Sequence, residues 1–237
     1  NWSPDEPYDD PNEPPEQVTY LDATGLYAAG DEFKQVIMFM SNRVVQPEDE
    51  DTLPFEIETR ATSNDFFSMF DVPFQYGSPW SASSDAAEER VIVLSQVLNE
   101  RLFGGADSTG ERLMLNGESY RVVGVLDYWQ PIPKFYDLNN NPYNAPAQLY
   151  LPFSVAVANE HGSAGNTNCW KPFGDGGYEA FLNSECIWIQ MWAELPTADA
   201  QDRYRQFLDS YVTEQKTLGR FPRDLNTRIS NVEEWME

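Results

Sequence analysis

A chain of 237 residues is long enough for one large domain or two smaller ones with real cores. Its 41% hydrophobic and 14% aromatic content argues for a folded chain over a disordered one. Thirty-nine acidic residues against 15 basic ones give a formal charge of −24, which sets the chain against nucleic acid and anionic lipid as partners. No apolar run approaches the roughly 18 residues needed to span a bilayer. The start at Asn1-Trp2, with no methionine or signal sequence, reads as a fragment excised from a longer protein.

Residues 1–17 are rich in Pro, Asp and Glu and read as an extended acidic arm, with prolines that forbid the sharp turn of a calcium loop. Asp22 is placed to cap a helix over 23–29, stopped by Gly30, and residues 33–45 read as a long strand. A polar turn over 46–53 leads to a half-buried strand over 54–62, with Phe55 and Ile57 against Glu56 and Glu58. Ser63 is placed to cap a helix over 64–70, and residues 72–76 form a strand. The Ser/Ala/acidic stretch 78–89 is a connector at a subdomain boundary.

Residues 91–127 are the most legible part of the chain. An apolar strand, Val91–Leu94, is followed by Ser95, whose hydroxyl can accept an orphan N–H of a first helical turn. Leu98 and Leu102 share a helix face, and Gly104-Gly105 supply a left-handed stop. Asn116-Gly117 between Arg112–Leu115 and Glu118–Leu126 is a strong hairpin signal, because both residues tolerate positive φ. The loop 127–146 contains Asp137, Asn139 and Asn141 at the spacing that opens an EF-hand. Pro142, however, stands where glycine is required, and Gln148 where the bidentate Glu should be. Residues 148–153 read as an edge strand, since Pro152 cannot donate to a central ladder.

Residues 158–182 form a Gly- and Asn-rich loop carrying Cys169, Trp170 and His161, the last read as a lone surface histidine. An exposed loop of this length is where partner contact is expected. In an oxidising compartment Cys169 and Cys186 can bridge, a cross-link worth about 3 kcal/mol in the chain-entropy account; two free thiols are the other state. Residues 186–194 alternate as a strand, with Trp188 and Trp192 on one face as a platform for sugar or lipid, or packed beneath a helix. Residues 198–218 are the cleanest helix, capped by Thr197 or Asp199, with Tyr204, Phe207, Leu208, Tyr211 and Val212 along one stripe. A strand over 225–229 and a helix start over 232–236 complete the chain.

One ordered set of segments carries a family resemblance. The strand Val91-Ile92-Val93-Leu94 runs into Ser95, the helix closes in Arg101-Leu102-Phe103-Gly104, an acidic turn follows, and the hairpin ends in Val122-Val123-Gly124-Val125. This order resembles the MacB-like periplasmic core domain of ABC transporter permeases of the MacB/FtsX kind. Upstream, Ala61-Thr62-Ser63-Asn64-Asp65-Phe66-Phe67 followed by Asp71-Val72-Pro73-Phe74 is similar to a second segment of that family. The resemblance covers residues 60–151. Two departures bear on loop shape and partner surface: the family's D-P-x-G-[KR] turn is Asp107-Ser108-Thr109-Gly110-Glu111 here, and the loop after Pro152 is long.

The resemblance implies an α+β fold of two lobes. An open porter-like α/β layer is made of the chain's two ends (1–88 and 186–237), and an inserted β-rich sabre-like lobe covers 89–153, followed by the loop 154–185. It implies a non-catalytic domain on the periplasmic side of the bacterial inner membrane. The implied partners are a cytoplasmic ATPase subunit or domain, a second permease copy, and a periplasmic adaptor or substrate protein. The work done would be export, lipoprotein or lipid transfer, or signalling. The residues themselves offer no phosphate loop, no H-E-x-x-H and no G-x-S-x-G, so no catalytic, cofactor or metal residue is assigned and the substrate is unknown. The alternative is a secreted carbohydrate-binding module or glycoside hydrolase using Trp170, Trp188 or Trp192 with paired carboxylates.

Overall fold

The computed structural model describes residues 16–47, 52–169, 173–220 and 227–236. In chain order the elements are β1 (Val18–Thr19), α1 (Tyr20–Ala29), β2 (Gln35–Gln46), β3 (Phe55–Thr62), α2 (Phe66–Met69), β4 (Phe74–Gly77) and α3 (Ala82–Ala86). They continue with β5 (Val91–Leu94), α4 (Gln96–Phe103), β6 (Arg112–Leu115), β7 (Glu118–Leu126), β8 (Leu149–Pro152) and α5 (Phe153–Ala158). The last are α6 (Gly177–Leu182), β9 (Ile187–Ala193), α7 (Ala198–Thr217) and α8 (Val232–Met236). The chain falls into two compact units, one drawn from 1–35 and 167–237 and the other from 36–166.

In the unit of 36–166, strands run in the order β2-β3-β8-β5-β7, and β6 pairs with both β7 and the end of β2, which closes the strands into a ring. β3 and β8 are parallel, as are β5 and β7, whereas β5 and β8 are antiparallel. β7 carries β5 along one side, with β6 and then β4 along the other. The β6–β7 hairpin turns at Asn116 (φ 49°) and Gly117 (φ 86°), the pair of left-handed residues that suits the strands' twist. The Asn116 side chain also accepts from the Val44 N–H at 2.7 Å, tying the turn to β2.

Local chemistry sets the helix ends. Ser95 caps α4 by accepting from the Leu98 N–H, and Gly104 ends it in the left-handed conformation. Thr197 caps α7 by accepting from the Ala200 N–H. At α1 the cap is Thr19 and not Asp22: the Asp22 N–H donates to the Thr19 hydroxyl, which in turn donates to the Asp22 carboxylate. α2 is a single short turn with no side-chain cap; the Ser63 hydroxyl accepts from the Ile37 N–H instead.

Further expectations change. β8 is an interior strand, paired on both sides, because Pro152 is its last residue and lies beyond the ladder with β5, which ends at Tyr150. The connector 78–89 contains α3, capped by Ser81. The loop 158–182 contains α6. Residues 227–229 are not in a strand, and 225–226 lie outside the described residues, as do 1–15 of the acidic arm and 48–51 of the polar turn. Gln17, placed in the arm, is buried.

In the unit built from the chain's ends, β1 pairs antiparallel with β9. Phe33 meets the Tyr204 ring edge-on at 4.9 Å, and the Tyr204 hydroxyl donates to Gln35 at 3.0 Å, so the α7 stripe packs as its spacing predicts.

Candidate partner-contact site

The loop 127–146 is held from beneath by buried polar groups. Arg60, near the end of β3, forms an ion pair with Asp137, and neither side chain has any exposed surface. Asn140 donates to the other Asp137 oxygen at 2.6 Å and accepts from the Asn166 N–H at 2.6 Å. The Lys134 N–H donates to the Pro142 carbonyl at 2.7 Å, which closes the loop across its base. The Lys134 ammonium lies 3.9 Å from Glu58.

Aromatic rings seal this base. Tyr136 stacks on Trp129 at 5.3 Å, and Phe66 meets Phe67, Phe70, Trp129 and Tyr136 edge to face. Burial works against the Arg60 charge, but Asp137, helped by its neighbours, outweighs it and the guanidinium is raised. Burial lowers Lys134, with Glu58 opposing, and raises Tyr136 and Tyr150. The cluster is therefore a fixed foundation for the loop above it.

Above it the loop presents Tyr128, Ile132 and Tyr143, which are 71%, 58% and 77% exposed. The Lys134–Pro142 bond brings the segments carrying Ile132 and Tyr143 side by side. Elsewhere in the same unit an open groove of 470 Å³ is lined by Ser78, Ser81, Ser84, Thr109 and Arg121. Arg121 lies 3.7 Å from Glu89, so its charge is already answered.

The residues singled out from sequence fall as follows. Cys169 and Cys186 are joined as a disulfide, beside the bridge between Asn168 and Ile187. With that cross-link intact, the unfolding free energy is expected to exceed that of the reduced protein by about 3 kcal/mol. Denaturation with and without dithiothreitol checks this, and coincident midpoints would sink it. Trp188 is only 1% exposed and packs against Phe181 of α6, so it offers no platform; Trp192 is partly buried, and Trp170 lies outside the described residues. His161 is buried, not at the surface, and burial with the Arg43 charge lowers its imidazole to about 3. Asp137 of the EF-hand-like stretch faces Arg60.

Sequence reasoning misses Arg60, Lys134 and Tyr136. Alternation puts Arg60 on the same face as Glu56 and Glu58, and its partner is 77 residues away, beyond any local pattern.

No curated protein matches the chain. Among solved structures it is similar to the periplasmic region of MacB from Actinobacillus actinomycetemcomitans, with TM-score 0.50, 14% identity, and coverage of 83% of this chain and 75% of that one. It is also similar to the extracellular domain of the noncanonic ABC-type transporter YknZ from Gram-positive bacteria, with TM-score 0.49, 15% identity and 81% of each chain covered. The likeness to MacB is one of fold. A family described as the MacB-like periplasmic core domain matches residues 3–206, and the chain belongs to that family.

Proposed function

We propose that this chain is the extracytoplasmic domain of an ABC transporter permease, without catalytic machinery of its own, and that it passes ATP-driven movement to a partner or cargo in the envelope. The family match over residues 3–206 is the observation that carries this reading. In it, the cytoplasmic ATPase and a second permease copy complete the transporter, and the chain's ends and its inserted strands serve as porter-like and sabre-like lobes. Among the described residues no helix is long and apolar enough to cross a membrane, so in this reading the spanning helices belong to other parts of the parent protein.

The loop 127–146 is the surface we assign to partner contact. Its buried foundation anchors the loop at Asp137, and the loop exposes Tyr128, Ile132 and Tyr143, large side chains of the kind that serve as contact anchors. The loop 158–182 is the weaker choice, since His161 is buried and Phe181 of α6 packs on Trp188. The charge of −24 favours a partner that is neutral or basic. Changing Tyr128, Ile132 and Tyr143 to serine in the parent permease is expected to lower transport by about tenfold or more while leaving the domain's melting temperature nearly unchanged. Transport at the unchanged rate would discard the assignment.

A further inference from the structure

Arg220 joins three separated segments of the unit built from the chain's ends. Its Nη1 and Nη2 donate to the two Asp22 oxygens of α1 at 2.7 and 3.1 Å. Its Nε and Nη2 donate to Glu185, just before β9, at 3.1 and 3.0 Å. Nη1 also donates to Gln215 of α7 at 2.9 Å. The guanidinium is thus engaged on two carboxylates in the forked geometry that lysine cannot reproduce.

The approach is built from the other side as well. The Tyr211 hydroxyl of α7 donates to Asp22 at 3.0 Å. A Cβ on Gly25 would sit 2.7 Å from that hydroxyl, so the missing side chain in α1 is what lets α7 come this close. Gly219, at φ 86°, turns the chain after α7 and places Arg220 on the network. The guanidinium and both carboxylates are mostly shielded from solvent.

We infer that Arg220 is a mechanical clasp that makes α1 and the exit of α7 one piece, so that displacement of one end is passed to the other instead of being absorbed by local opening. Its value to transport rests on the permease reading above, in which the domain passes ATP-driven movement on.

Hydrogen exchange on this chain tests the clasp without that reading. In Arg220→Gln, amides of α1 and of 183–187 are expected to exchange about tenfold faster, together, with 36–166 unchanged. Arg220→Lys, which keeps the charge, is expected to show the same pattern more weakly, and it remains informative where the glutamine variant fails to fold. Faster exchange confined to residues 218–220 in Arg220→Lys overturns the clasp. In the parent permease, Arg220→Lys is expected to lower transport per ATP hydrolysed several-fold; an unchanged ratio overturns the coupling role. A wild-type parent with no ATP-driven transport would sink the permease reading and leave the exchange result standing.

Discussion

Arg60→Ala is expected to lower the unfolding free energy by about 3–5 kcal/mol, because it leaves Asp137 charged and buried with its main partner gone. Asp137→Ala should cost a similar amount, by stranding the guanidinium. The pair Arg60→Met with Asp137→Leu is expected to recover most of the loss, since a buried ion pair is close to break-even against well-packed apolar groups. The cycle is read from denaturant midpoints at constant slope. If the two single variants lose less than about 1 kcal/mol each, the pair is not the foundation described.

The second large effect is on pH. His161 is 3% exposed and its imidazole is lowered from 6.5 to about 3. Above pH 6.5 the group is neutral in both folded and unfolded chains and contributes nothing to the balance. Between 6.5 and about 3 the unfolded chain takes up a proton that the folded chain refuses, so stability falls as the pH falls, by up to about 1.4 kcal/mol per unit. Below about 3 the penalty stops growing. His161→Gln removes this contribution, so the wild type should lose stability faster than the variant between roughly pH 6 and pH 4. A gap between them that is independent of pH would show that the imidazole is not held neutral.

The parts legible in the sequence are those written in local chemistry. The Ser95 cap, the Gly104 stop and the Asn116-Gly117 turn depend on residues within a few positions of one another, and each element stands where its residues predict. The same holds for α7, a helix of 20 residues whose stripe repeats from Tyr204 to Val212. What is not legible depends on distance. Pro152 reads as an edge residue because its position within the strand, and not its presence, decides whether an N–H is missed. Trp188 reads as either a platform or a residue packed beneath a helix, and the choice is not visible because α6, which covers it, is concealed in a Gly-rich stretch. His161 gives no sign of burial, since a single imidazole has no period. The foundation of the loop 127–146 is hidden most completely, as it joins a strand residue to a loop residue far along the chain.

The closed ring of strands also bears on how the chain reaches its fold. The β6–β7 hairpin pairs residues that are adjacent in sequence, as Leu115 and Glu118 show, whereas β3 and β8 pair residue 59 with residue 149. Closing a short loop is fast, and the entropy of a long one has to be met before its contacts form. β7 is therefore expected to be the early template, taking β5 and β4 along its sides, with the seam between β3 and β8 expected to close late. A chain emerging from its N-terminus exposes β2 and β3 well before β8 exists to cover the second.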